Sequence, residues 1–132
     1  MISEGTFTVS GFAGVPLEQD QPVTTALAVG IATMAKEYAG GIVGRSTTLF
    51  TSAFDPELGV GTYVAMESFE GSIAGRSGTI NFAHSATTRG DNREADFLVI
   101  VPGSGTGELA GLTGSGGLTD DHGIWLDFEQ NL

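Results

Sequence analysis

An acid, a histidine and two arginines are the residues of this chain best suited to chemistry. Glu67 stands in Gly61 to Phe69, where Tyr63, Ala65, Glu67 and Phe69 fall on one face and Val64, Met66 and Ser68 on the other, because successive side chains of a strand point to opposite sides. On the solvent face such a carboxylate is ordinary. Inside an apolar cavity, desolvation would raise its pKa and suit it to general acid or base catalysis. His84 shares a face with Ile80 and Phe82, so it is either a hydrogen-bonded core residue or a catalyst. Arg45 and Arg76 hold equivalent places in the segments Gly44-Arg45-Ser46-Thr47-Thr48 and Gly75-Arg76-Ser77-Gly78-Thr79. They pair with Glu67, Glu70 or Glu108, or they hold the carboxylate or enolate oxygen of a ligand. Tyr63, Phe69 and Trp125 complete the candidate ligand contacts, with rim or interface packing as the other role of Tyr63 and Trp125.

The elements that must position these residues read as strands. Gly5 to Phe12 alternates Phe7 and Val9 with Thr6, Thr8 and Ser10, and Val15 to Pro22 is a loop with two prolines. Val23 to Tyr38 is predicted as a strand, although Ala26, Leu27, Ala28, Ile31, Met34 and Ala35 also fit a helix. Ile42 to Phe54 and Gly61 to Phe69 follow as strands, joined by the turn Asp55-Pro56-Glu57-Leu58-Gly59. Ile73 to Thr88 is extended, and Arg89 to Arg93 is a hairpin turn by its Gly, Asp and Asn content. Phe97 to Val101 is a strand with apolar residues on both faces. A glycine-rich strand from Pro102 to Leu118, the turn Thr119 to Gly123 and the strand Ile124 to Glu129 close the chain.

Within the Pro102 to Leu118 stretch, Gly107-Glu108-Leu109-Ala110-Gly111 repeats a pattern seen in Gly40-Gly41-Ile42-Val43-Gly44 and Gly71-Ser72-Ile73-Ala74-Gly75, the copies lying 31 and 36 residues apart. That spacing is the length of a two-stranded unit. If each copy is a strand, its glycines bend it at the corners of a closed sheet. About eight strands and no convincing helix predict an all-β fold, an eight-stranded antiparallel barrel occupying residues 1–132 as a single domain. Such a barrel either holds one small ligand or fills its interior with side chains. Ala26, Ala28, Gly30 and Ala32 on one face leave room for a ligand, or else serve close packing.

Composition narrows the partners. Sixteen acids against five bases give a formal charge of -11, which repels phosphate backbones, so nucleic acid is not an expected partner. The longest run of large apolar residues, Phe97 to Val101, is far too short for a membrane helix, and the start MISEGTF has no signal-like segment, so a cytoplasmic location is expected. The absence of cysteine excludes disulfides and thiolate chemistry. Gly105 to Ala110 imitates a dinucleotide fingerprint, but the glycines that follow oppose the helix it requires. No G-x-S-x-G elbow is present, and Asp120-Asp121-His122 fits a turn better than a metal site. No cofactor or metal is expected.

Phe69-Glu70-Gly71, Gly75-Arg76-Ser77-Gly78, His84-Ser85 and Val101-Pro102-Gly103-Ser104-Gly105-Thr106-Gly107-Glu108-Leu109-Ala110-Gly111-Leu112 resemble the bacterial family called domain of unknown function 3224. The resemblance runs from about Gly5 to Glu129 and departs at Phe12, where tryptophan is expected. It implies a barrel similar to allene oxide cyclase, with a mostly apolar cavity and a homo-oligomeric assembly. Its relatives by fold bind a reactive substrate inside the barrel and steer ring closure. The expectation that follows is a barrel binding an apolar or polyketide- or lipid-like small molecule, as a cofactor-free isomerase or cyclase in which Glu67 or His84 moves a proton. The alternative is a non-catalytic carrier, or an oligomeric interaction or stress protein, with a filled barrel.

Overall fold

Alternation along the chain becomes a closed ring of strands. The computed structural model describes residues 1–131 and contains β1 (Ile2–Val15), β2 (Val29–Gly40), β3 (Ile42–Asp55), β4 (Val60–Ile73), β5 (Arg76–Arg89), β6 (Asn92–Ile100), β7 (Leu112–Leu118) and β8 (Gly123–Gln130). Each pairs antiparallel with the next, and β8 pairs with β1, so the sheet has no free edge. On β4 the inward set is Gly61, Tyr63, Ala65, Glu67, Phe69 and Ile73, and the outward set includes Val64, Met66 and Ser68. No described helix is long and apolar enough to cross a membrane.

The two ends of the barrel differ. At one end Ile42, Ile73, Leu109 and Leu112 are sealed from solvent above Phe69, Phe82, Ile100 and Phe128. Burying each of these side chains contributes roughly 1.5–3 kcal/mol, so this half supplies most of the apolar stability. The three glycine-flanked repeats all belong to it. They are not bent strands. The first spans the β2–β3 connection, the second the β4–β5 connection, and the third the short 3-10 turn Gly107–Leu109 that precedes β7, and their Ile42, Ile73 and Leu109 plug the same end. Gly44 and Gly71 show why glycine is required here. They face one another across β3 and β4 with φ of 145° and 153°, and a Cβ on Gly71 would lie 2.0 Å from the Val43 carbonyl oxygen.

Three further expectations are revised. β2 begins at Val29, because residues 16–28 run outside the sheet, where Pro16 and Pro22 cannot donate to a ladder. Ala26 and Ala28 therefore lie exposed in that connection and leave the interior to Ala32, Met34, Lys36 and Tyr38. The Pro102 to Leu118 stretch is a loop, a 3-10 turn and then β7. Of the apolar run Phe97 to Ile100 on β6, Leu98 and Ile100 face inward, while Phe97 and Val99 lie on the outer surface.

Candidate functional site

A carboxylate in a barrel wall must be satisfied by whatever the neighbouring strands place beside it. Glu67 is fully buried and every partner is a side chain from β2, β3 or β5. Lys36 Nζ donates to Oε1 at 2.9 Å and His84 Nε2 lies 3.0 Å from the same oxygen. The Tyr38 hydroxyl and Ser46 Oγ donate to Oε2 at 2.5 and 2.6 Å. The register brings them together, since Lys36 pairs with Ser46 across β2 and β3, and Ala65, one inward position from Glu67, pairs with His84 across β4 and β5.

This surrounding reverses the expected electrostatics of Glu67. Burial pushes its pKa up, but the His84 hydrogen bond, the Lys36 ammonium and the Ser46 and Tyr38 hydroxyls outweigh burial and hold it at about 2, below the ordinary 4.5. Glu67 is thus a fixed negative charge rather than a general acid. Burial, with the charge of Glu67 adding to it, raises the Tyr38 pKa far above its ordinary value, so that hydroxyl remains a donor. Lys36 lies beneath the Phe7 ring, its Nζ 4.6 Å from the centroid, an arrangement favourable to a cation.

From His84 the network continues to the open end. His84 Nδ1 lies 3.1 Å from the Tyr63 hydroxyl, which accepts from Arg93 Nη2 at 2.9 Å. An ionised carboxylate only accepts and a guanidinium only donates. With a neutral imidazole this fixes one arrangement: Arg93 donates to Tyr63, Tyr63 donates to His84 Nδ1, and His84 Nε2–H donates to Glu67. Burial raises the Tyr63 pKa, with Arg93 opposing the shift.

The chain of bonds ends in a cavity of about 300 Å³ whose walls include Phe7, Lys36, Tyr63, His84, Arg93 and His122. A second cavity of about 250 Å³, shaped by Phe12, Phe50, Phe54 and Tyr63, adjoins it and shares the Phe50 and Tyr63 rings. Those rings meet edge to face at 5.4 Å and 72°. The barrel is therefore filled at one end and hollow at the other, and of Ala26, Ala28, Gly30 and Ala32 only Ala32 lines the hollow end. No three His, Asp or Glu side chains converge as metal ligands among the described residues.

Of the residues singled out in the sequence, Glu67, His84 and Tyr63 come together here. Phe69 lies in the filled half, edge-on to Tyr38. Arg45 is on the outer surface, bonded to Glu70. Arg76 is at the closed end, bonded to Gln130 and set over the Phe128 ring. Trp125 faces outward on β8. Lys36, Tyr38, Ser46 and Arg93 were not foreseen. One signal for Lys36 was present, since the chain's single lysine sits at alternate positions with Ala32, Met34 and Tyr38.

The architecture defines the class: a closed eight-stranded antiparallel barrel, plugged by three repeated connections and open above a buried carboxylate. Within that class the chain belongs to the family described as Protein of unknown function (DUF3224), which it matches over residues 3–129. It is similar to the crystal structure, at 1.84 Å resolution, of a protein with unknown function from the DUF3224 family from Shewanella oneidensis MR-1. The TM-score is 0.81 at 25% identity, over 100% of this chain and 98% of that one. No curated protein matches the sequence.

Proposed function

We propose that the chain binds an apolar small molecule in the open end of the barrel and acts on it as a cofactor-free isomerase or cyclase. The observation that carries this reading is the one-directional hydrogen-bond chain from Arg93 through Tyr63 and His84 to a buried, ionised Glu67, ending in a cavity of about 300 Å³. Glu67 orients the imidazole and stabilises any positive charge it acquires, as a positioning residue. His84 Nδ1 is the proton acceptor, working through the Tyr63 hydroxyl, and Arg93 faces the oxygen on which negative charge develops. The aromatic walls hold a reactive conformer away from water.

The test is native mass spectrometry of the purified protein with extraction of any ligand, together with titration by the neutral fluorophore N-phenyl-1-naphthylamine. A carried ligand, or one probe bound per chain and excluded by Ser52→Trp in the apolar cavity, supports the reading. Neither being found removes it. An extracted ligand is then incubated in D2O, where the wild type is expected to catalyse deuterium incorporation and His84→Asn is not.

A second observation favours self-association. Leu49 pairs with Met66, Met66 with Ala83, and Ala83 with Val99 across β3 to β6, and Val64 and Phe97 flank this row. These outward positions carry no charge in a chain of net charge -11, and such an apolar patch marks an interaction site. We read its occupant as a second copy, so the native mass should exceed that of one chain.

A further inference from the structure

Resting on the binding reading above, we infer that the two adjoining cavities are one site for an amphipathic monoanion, an aromatic carboxylate whose ring lies among Phe12, Phe50 and Phe54 and whose carboxylate accepts from Arg93. Two strand irregularities build it. On β1, Ser10 pairs with Ala35 and Ala13 with Thr33, so β1 carries one residue more than β2 over this step, with Gly11 at φ 65°. That bulge brings Phe12 to 6.4 Å from Phe50, although it is out of step with the inward Phe7 and Val9. On β6, Glu94 pairs with Thr87 and Phe97 with Ser85, so three steps on β6 face two on β5. Arg93 and Leu98, five positions apart, consequently face the same interior, which an unbroken strand forbids. The irregularity contains Ala95 at φ 52°, an unfavourable conformation for a residue with a Cβ. Bulges re-aim side chains at sites, and here one supplies an apolar wall and the other a cation.

The charges agree. Arg45 and Arg89 are bonded to Glu70 and Glu94, whereas Arg93 has no carboxylate within ion-pair distance among the described residues. Its Nε is buried without a hydrogen-bond partner. The same cavity gathers Lys36 and both histidines, with Asp120 at its rim. Lys36 is committed to Glu67, so the guanidinium is the uncommitted cation. Its fork matches a carboxylate.

The experiment is calorimetric titration at pH 7 of the full chain with naphthalene-2-carboxylate and with naphthalene-2-methanol, which share a ring and differ in charge. The acid is expected to bind at least about tenfold more tightly, the effect of a charge-assisted hydrogen bond. Arg93→Met is expected to remove that preference, so that acid and alcohol bind the variant with similar affinity. Equal binding of acid and alcohol by the wild type overturns the carboxylate assignment and leaves the binding reading standing, without relying on any variant. A loss of both ligands in Arg93→Met, with thermal unfolding unchanged, also overturns it. Binding of neither by the wild type overturns both.

Discussion

Replacing Glu67 by Gln tests whether the barrel contains an ionised pair. The carboxamide is isosteric, but it removes the charge that compensates Lys36, whose side chain is 1% exposed. It also places an NH2 group toward donors in either orientation, Lys36 on one side and Tyr38 with Ser46 on the other. Stranding one member of a buried pair costs about 3–5 kcal/mol. The pKa gives a similar magnitude, since a fall from 4.5 to about 2 corresponds to about 3 kcal/mol. Urea unfolding followed by circular dichroism should therefore show Glu67→Gln destabilised by at least about 3 kcal/mol, with Tm lowered by roughly 10 °C. The double variant Lys36→Met/Glu67→Gln should recover most of this loss. Without the ammonium, the amide oxygen accepts from Tyr38 and Ser46 while its NH2 donates to His84 Nε2 in the other tautomer, so the amide itself is satisfied. A coupling below about 1 kcal/mol in this cycle would refute the ionised pair.

Acid should weaken the wild type through the same group. Because the folded pKa of Glu67 is depressed, its contribution is complete above pH 4.5 and is lost as pH falls toward 2, so the stability difference between wild type and Glu67→Gln should shrink across that window in unfolding curves. Gly71→Ala should prevent folding or cost several kcal/mol, since its Cβ would meet the Val43 carbonyl at 2.0 Å at φ 153°. Gly30→Ala, with open space around it, should change Tm by less than about 2 °C.

Much of the barrel was legible because alternation is a local signal. Tyr63, Ala65, Glu67 and Phe69 on one face of β4 follow from counting by two, and so does His84 with Ile80 and Phe82. What the glycine repeats do was not legible in the same way, because a strand corner and a strand connection ask the same residue for the same freedom. Only the pairing of β2 with β3, β4 with β5 and β6 with β7 shows all three copies at one end. The chemistry of Glu67 was hidden for a different reason. Its pKa depends on donors 17 to 31 residues away in the chain, and four of them together outweigh the burial that alone would have raised it.

Arg93 shows where counting by two fails. Carried back from Leu98 and Ile100, the alternation places Glu94 and Asp96 inside and Arg93 outside, and only an irregularity that no residue type announces reverses this. Phe12 is displaced by the same device on β1, announced there by Gly11. A strand that keeps its period can build a wall. Two side chains of the open end, Phe12 and Arg93, are instead placed where the period breaks, which is why they were less visible in the pattern than Tyr63 and His84.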